Sequence, residues 1–384
     1  MSLVVFPFKN EDLTVIASNI AIASNHPRID EVWAVGAADG GDLDRVAAIA
    51  SKVAASSGVP IDVFAQERIG RFRPGKGDGM NTAMVRAAER GFKRVHFYDA
   101  DITNFDERWI DGAEEAADTG YDVVRHRFPR ASTDAMITWM VTRPGLAMIF
   151  PGTVLPRLGQ PLGGELLLSR TATQALASDA AVLDRSDWGI DTMITHATAI
   201  LGLPMYEHNV RDGKRHALYG GLDEIRAMVL ECLDAVRSLK TRPGPDMASE
   251  FGADPPAPVP DDLKHTVGYD VNRTIDLLAS DWTREEEDLA AILGPEVENS
   301  LLLNKHRPNF AFMDAETWGA ILGILLKEFD LDSAGWRSLA FRSWLTRVLA
   351  YTTDQALSGY DSAIEYLEGT IRAFEKKGYE DVSP

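Results

Sequence analysis

The chain has few cysteines, no long apolar runs and a shortage of positive charge. Cys232 is the single cysteine among 384 residues, so an intrachain disulfide is excluded, and a reducing, cytoplasmic location is expected. No segment approaches the roughly 18 consecutive apolar residues of a membrane helix. The start, Met1–Pro7, lacks the basic region of a secretory signal and instead predicts a first strand. We therefore expect no membrane partner.

The net charge of −19 makes nucleic acid an unfavourable partner for the surface as a whole. The acidic residues are dispersed along the chain, which is typical of a solvated surface rather than an acidic tail. An anionic substrate would need a local basic patch. Arg125, Arg127 and Arg130 supply one in a single segment.

Two common nucleotide-binding motifs are also missing. No Lys-Ser/Thr follows a Gly-x4-Gly, which excludes a Walker loop. No strand leads into a Gly-x-Gly-x-x-Gly, which argues against a dinucleotide dehydrogenase.

What the sequence does contain is an alternation of strand and helix patterns over residues 1–220. This alternation predicts an α/β domain with a mostly parallel, doubly wound sheet. From 221 to 384 the patterns are helical, apart from a proline-rich arm at 241–262 whose six prolines are incompatible with a helix or a central strand.

The most informative stretch is Val95–Thr103, in which an apolar strand ends at Asp99 and Asp101. Ligands of open α/β sheets bind outside the carboxyl ends of the strands, so these acids are expected at a ligand crevice. We interpret the chain here as extended, which would point both carboxylates the same way. Hard oxygen ligands of this kind favour Mg or Mn together with phosphate oxygens.

Three further features could join this site. A glycine-rich loop, Gly75–Gly79, carries Lys76 ahead of a helix predicted to begin at Met80, and lysine can meet a phosphate as a point charge. Glu11, just after the first strand, could accept hydrogen bonds from a nucleobase, although a helix-turn acid is the alternative. His216, in a polar loop after a later strand, could complete a metal shell, although it could also be simply exposed.

The order of these motifs resembles the GT-A nucleotide-sugar glycosyltransferases. Pro-x-x-x-Glu, the glycine loop with lysine, Asp-x-Asp after a strand, Pro-Leu-Gly-Gly-Glu, Trp-Gly-Ile-Asp and a late histidine follow one another along the chain. More narrowly, the whole chain resembles the mannosylglycerate synthase family. That resemblance implies retaining transfer of mannose from GDP-mannose to D-glycerate, with lactate or glycolate as further acceptors, and a homo-oligomer.

The resemblance also implies roles for individual residues. Asp101 and His216 are expected to bind the divalent metal, Mg or Mn. Asp191 is expected beside the sugar, and the backbone near Leu162 and Gly163 is expected to face the sugar and acceptor. The expected substrate-binding residues are Pro7, Phe8, Lys9, Glu11, Val35, Gln66, Lys76, Asp99, Arg130, Thr138 and Tyr219, of which Arg130 and Thr138 would hold the glycerate carboxylate.

Three alternatives stay open from the sequence. A glucosyl-3-phosphoglycerate synthase-type transferase shares the architecture but should need extra basic residues for its phosphorylated acceptor. A sugar nucleotidyltransferase is the second and is less favoured, since no Gly-x-Gly-Thr-Arg stretch follows the first strand of this chain. A non-catalytic protein that binds sugar nucleotides is the third.

Overall fold

The structure is a computed structural model that describes residues 1–37, 42–216, 220–246 and 250–378. The chain forms two compact units, each built from three segments. The first unit comprises Met1–Pro129, Leu158–Ala217 and Pro245–Val259, and the second comprises Arg130–Arg157, Leu218–Gly244 and Pro260–Pro384.

The first unit contains the sheet. Its strands are β1 (Ser2–Phe8), β2 (Glu31–Gly36), β3 (Ile61–Ala65), β4 (Arg94–Phe97), β5 (Val123–Arg127), β6 (Leu166–Ser169), β7 (Met205–Asn209) and β8 (Phe251–Ala253). Within the described residues these eight strands form one sheet in the order β3-β2-β1-β4-β6-β5-β7-β8. Only β6 is antiparallel to its neighbours, so the predicted α/β class with a mostly parallel sheet is confirmed.

Helices flank this sheet and complete the second unit. They are α1 (Leu13–Asn25), α2 (Leu43–Ser57), α3 (Lys76–Arg90), α4 (Glu107–Asp118), α5 (Arg143–Ile149), α6 (Arg170–Leu176), α7 (Ala180–Asp184), α8 (Ile190–Ile200), α9 (Arg226–Ser238), α10 (Asp261–Lys264), α11 (Val271–Leu278), α12 (Arg284–Ala290), α13 (Pro295–Leu303), α14 (Ala315–Glu328), α15 (Ala334–Asp354) and α16 (Tyr360–Lys377). A π-helical turn, Thr138–Thr142, precedes α5.

The core of the first unit is formed by inward-facing residues of β1 and β2 together with Tyr98, which follows β4. Val4, Phe6 and Tyr98 are buried there against Trp109 of α4, and the aromatic rings of Phe6, Tyr98 and Trp109 belong to one contacting group with Phe105. Parallel strands buried on both faces are apolar throughout, which explains why the sequence signal was clear in this half of the chain.

The compact units differ from the predicted boundary at residue 220 in two respects. Residues 130–157 belong to the helical unit, where the Trp318 indole N–H donates to the Met140 carbonyl at 2.7 Å. Residues 245–259 of the proline-rich arm belong to the sheet unit, because β8 pairs with β7 and forms the edge of the sheet. An edge position tolerates nearby prolines, since one side of the strand needs no ladder partner.

Three tryptophans of α14 and α15 belong to the core of the second unit. Trp318, Trp336 and Trp344 are all buried. Among the described residues, no helix is both long enough and apolar enough to cross a membrane.

Candidate functional site

The carboxyl ends of four parallel strands meet at one edge of the sheet, which is where the predicted site residues lie. Register pairs Phe8 with Gly36, and Gly36 with Ala65, so β1, β2 and β3 end side by side. β4 ends next to them, since Phe97 pairs with Val5. This is the edge at which open α/β sheets bind ligands.

Asp99 is the centre of a charged cluster at this edge. Its Oδ1 lies 3.1 Å from Lys76 Nζ, and its Oδ2 lies 2.5 Å from Lys214 Nζ. Burial alone would raise the pKa of Asp99, but Lys214 and Lys76 outweigh it and hold that pKa well below its usual range. Asp99 is therefore ionised throughout the neutral range.

Each lysine also contacts a second carboxylate. Lys76 Nζ lies 3.3 Å from Asp191 Oδ2, and Lys214 Nζ lies 2.5 Å from Glu165 Oε1. Burial raises the pKa of Asp191 and of Glu165, with the charge of Asp99 adding to both increases. Although burial disfavours an ammonium ion, these neighbouring carboxylates raise the pKa of both lysines. Two ammonium groups thus share three carboxyl groups.

Lys76 occupies the first turn of α3, so the prediction of a free glycine loop before a helix at Met80 was wrong. Asp78 stabilises this earlier start because its buried carboxylate accepts hydrogen bonds from the Ile69 and Gly70 amides, each at 3.0 Å. A lysine at a helix N-terminus opposes the helix dipole. The contacts of Lys76 with Asp99 and Asp191 compensate for that opposition.

The Asp-x-Asp pair lies in a turn after β4 ends at Phe97, so the interpretation of an extended chain was also wrong. The two acids consequently have different surroundings. Asp99 contacts the two lysines, whereas the charge of Asp101 acts on Glu11 and Lys214.

Hydrogen bonds bring the segments that carry Asp101 and His216 together. The Thr103 amide and hydroxyl both donate to the Arg215 carbonyl, at 2.7 and 3.0 Å, and the Arg215 amide donates to Asn104 Oδ1 at 2.8 Å. His216 follows Arg215, and Asp101 stands two residues before Thr103. A carboxylate and an imidazole fit Mg²⁺ or Mn²⁺ when phosphate oxygens complete the shell. The described part of the chain contains no group of three or more His, Cys, Asp or Glu side chains placed to hold a metal.

The residues expected to bind the nucleotide lie near the N-terminus of α3. A Cβ placed on Gly79 would lie 3.2 Å from Gln66 Oε1 and 3.7 Å from Pro7 Cβ, so these three residues are close neighbours. Glu11 Oε2 accepts a hydrogen bond from the Lys9 amide at 2.5 Å, and burial raises the pKa of Glu11. One carboxylate oxygen of Glu11 is therefore engaged by the backbone of the turn that carries it, and the other is not part of this hydrogen bond.

The remaining predicted residues fall into three groups. Phe8 and Val35 are buried strand residues near the same edge, and Lys9 is exposed just after β1. Leu162 and Gly163 lie in the loop before β6, in the first unit. Arg130 and Thr138 belong to the second unit, where Arg130 Nη1 lies 3.1 Å from Asp134 Oδ2 and Thr138 is buried. Tyr219 lies outside the described residues.

Sequence reasoning missed Lys214 and Glu165 as members of the charged cluster. Lys214 stands two residues before the predicted ligand His216 in a loop that was expected to reach the site, which was the available signal. Glu165 is the last residue of the Pro-Leu-Gly-Gly-Glu motif, but its contact with Lys214 could not be predicted, because it depends on the antiparallel insertion of β6 between β4 and β5.

Comparison with known proteins gives the family. The family model described as mannosylglycerate synthase, GT domain, matches residues 2–238, and the mannosylglycerate synthase C-terminal domain matches residues 263–371. The chain belongs to the mannosylglycerate synthase family. It is accordingly a glycosyltransferase.

Full-length relatives agree with this assignment. The mannosylglycerate synthase of Rhodothermus marinus is 46% identical over 368 residues, covering 96% of this chain and 92% of the relative. That of Selaginella moellendorffii is 44% identical over 374 residues, covering 97% and 89%.

A solved structure shares the fold at lower identity. Glucosyl-3-phosphoglycerate synthase from Mycobacterium tuberculosis, in complex with Mg²⁺ and UDP, has a TM-score of 0.50 and 24% identity, covering 63% of this chain and 80% of that one. This likeness supports the GT-A architecture of the sheet unit.

Gly164 provides a test of the charged cluster. A Cβ at this position would collide with the Lys76 ammonium and lie 3.1 Å from Asp99 Oδ1. Gly164→Ala should displace Lys76 and lower the rate of glycosyl transfer by on the order of 10- to 100-fold, as expected for a displacement near 1 Å in an active site. The measurement is kcat, with circular dichroism to confirm folding.

Gly369→Ala is the matched control, because a Cβ there meets only Arg372 Nη2, at an ordinary 3.6 Å. It should leave kcat unchanged. Equal activity of the Gly164→Ala enzyme and the wild type would show that the position of Lys76 does not matter for transfer.

Proposed function

We propose that this protein transfers mannose from GDP-mannose to D-glycerate with retention of configuration, giving 2-O-α-mannosyl-D-glycerate, a compatible solute. The observation that carries the proposal is the Lys76–Asp99–Asp191 cluster at the carboxyl edge of the sheet, in a chain that matches both domains of the family. The cytoplasmic location and the homo-oligomer expected from the sequence belong to the same proposal.

The donor would lie along the strand ends, with the guanosine near Pro7 and Glu11 and the sugar diphosphate near Lys76. Glu11 can read guanine through the carboxylate oxygen that does not close its turn. Lys76 is the cation of the cluster that the resemblance places against the nucleotide sugar, and its raised pKa supports a permanent charge there. Phe8, Lys9, Val35 and Gln66 would line this part of the site, and Tyr219 is proposed as a further contact.

Asp101 and His216 would hold a divalent metal, Mg or Mn. The hydrogen bonds between residues 103–104 and 215 support the proximity of these ligands. When bound, the metal would neutralise the diphosphate leaving group as the glycosidic bond breaks.

Asp191 has the features of a residue that orients the sugar. Lys76 occupies its Oδ2, whereas its buried Oδ1 has no hydrogen-bond partner among the described residues and could accept a sugar hydroxyl. A double displacement would instead need Asp191 as the nucleophile. Pairing with Lys76 offsets the negative charge of Asp191 and makes it a weaker nucleophile, which supports same-face attack in which the leaving phosphate takes the acceptor proton.

The acceptor is proposed to contact the backbone of Leu162 and Gly163, with Arg130 and Thr138 binding its carboxylate. A planar guanidinium can pair with a carboxylate through two parallel hydrogen bonds. Arg130 and Thr138 rest on the family resemblance.

A panel of substrates tests the proposed function. The protein should convert GDP-mannose and D-glycerate to the α-mannoside with Mg²⁺ or Mn²⁺ present, detected by mass spectrometry and by the anomeric proton coupling in NMR. UDP-glucose with 3-phosphoglycerate is the competing pair. Preferential use of that pair would identify a glucosyl-3-phosphoglycerate synthase-type enzyme, and turnover of neither pair would contradict the proposed substrates.

Metal dependence is the next expected outcome. A chelator should abolish transfer, and Mg²⁺ or Mn²⁺ should restore it. Asp101→Asn should reduce transfer by about 100-fold or more, because an amide is a poor ligand for a hard cation. Calorimetric titration of Mn²⁺ in the presence of GDP should show the matching loss of metal binding. Full activity of the wild type in chelator would remove the metal from this scheme.

Arg130→Lys tests the acceptor assignment. The ammonium cannot reproduce the planar fork, so the KM for D-glycerate should rise by about tenfold or more while the KM for GDP-mannose changes little. Glyceramide, which lacks the carboxylate charge, should be a poor acceptor for the wild type. Equal effects on the donor and acceptor constants would place the carboxylate site elsewhere.

A further inference from the structure

Buried side chains form hydrogen bonds to the backbone of the loop that carries Leu162 and Gly163. Glu207 Oε1 accepts hydrogen bonds from the Gly159 amide at 2.8 Å and the Gln160 amide at 3.1 Å. Arg125 Nη1 donates to the Gly163 carbonyl at 3.1 Å. The two side chains therefore hold opposite ends of residues 159–163 through backbone groups alone.

Strand register explains how these two side chains cooperate. Arg125 of β5 pairs with Glu207 of β7, and paired residues of neighbouring strands project from the same face of a sheet. Glu207 is 1% exposed and Arg125 is fully buried. A buried guanidinium is costly unless it is compensated, and Asp191, Glu207 and Glu165 are the carboxylates that act on its charge.

A third buried group connects the same loop to the helix of Asp191. The Thr195 hydroxyl of α8 lies 2.7 Å from the Pro161 carbonyl and 2.8 Å from the Asp191 carbonyl. The backbone of the loop is thus tied to the helix that carries the sugar-orienting acid. A shift of the loop would change its distance from Asp191.

We propose that Arg125 and Glu207 are positioning residues that hold residues 159–164, the acceptor loop, in the conformation required for transfer. The guanidinium of Arg125 donates a hydrogen bond to the Gly163 carbonyl, which no apolar side chain at this core position could do. Its Nε and Nη2 have no hydrogen-bond partner among the described residues, so its guanidinium is directed to the loop through Nη1 alone. This inference rests on the proposed function, since it assigns the loop to the acceptor.

The structural part of the inference is tested without substrates. R125M and E207A should each speed hydrogen–deuterium exchange in peptides that cover residues 159–164, while peptides from β1 and β2 keep wild-type exchange. R125K, which retains one donor group, should lie between R125M and the wild type and is the variant to use if R125M does not fold. If residues 159–164 exchanged at the wild-type rate in the folded variants, the positioning role proposed for Arg125 and Glu207 would be overturned.

The functional part is tested by how the donor partitions between acceptor and water. A displaced acceptor loop should lower the ratio of transfer to donor hydrolysis by about tenfold in R125M, with partial recovery in R125K. A merely structural role would lower both rates together and leave the ratio unchanged, which would overturn the assignment to acceptor positioning.

R94M is the matched control, because Arg94 is also a buried strand arginine, paired with Glu114 and Asp118. It should lose stability but keep the wild-type loop exchange and transfer ratio, and a ratio as low as that of R125M would contradict the inference. If the wild type transferred mannose to no acceptor, the proposed function would fail. The exchange data would still decide whether Arg125 and Glu207 hold residues 159–164.

Discussion

The ion pairs of Asp99 with Lys76 and Lys214 are the interaction on which the rest of the site depends. A carboxylate shielded from water is unfavourable unless nearby charges compensate for its lost hydration. Here the two lysines come from distant parts of the chain, one from the first turn of α3 and one from the loop after β7. Neutralising this one group therefore fixes the relative positions of three segments.

The same contacts set the charge available for chemistry. Lys76 and Lys214 remain protonated, Asp99 remains ionised, and burial raises the pKa of Asp191 and Glu165. When Asp191 and Glu165 are ionised as well as Asp99, the three carboxylates and the two ammonium groups give the cluster a net charge of −1. A divalent cation near Asp101 would thus enter a favourable field, and an anionic acceptor would need a local basic residue such as Arg130, which follows β5. Arg125, counted with it in the basic segment of the sequence, is fully buried.

The sequence predicted the parts of the fold that depend on local pattern. The alternation of strand and helix patterns predicted the mostly parallel α/β sheet, and the position of Asp99 just after β4 followed from the apolar run before it. The extended conformation of Asp99–Asp101 and the start of α3 at Met80 were wrong, because both depend on contacts with distant residues. Asp78 holds the loop at 69–70, and Lys76 is held by Asp99, which follows β4, and by Asp191 of α8.

Strand order was the main source of what could not be predicted. β6 inserts antiparallel between β4 and β5, and this insertion brings Glu165 to Lys214 and the loop at 159–164 over Arg125 and Glu207. The hydrophobic pattern of residues 127–165 does not indicate such an insertion. Arg125 of β5 is fully buried, and a buried arginine is rare enough in proteins to need a structural reason.

A double-mutant cycle on Asp99 and Lys76 tests the central ion pair most directly. The free energy of unfolding would be measured by urea denaturation for Asp99→Asn, Lys76→Met and the double variant. Each single change leaves a partly buried charge with less compensation, so each should cost about 1–3 kcal/mol. The double variant should cost less than the sum by about 1–3 kcal/mol. Additive effects of the two substitutions would contradict the account, because they would show that Asp99 and Lys76 do not stabilise each other.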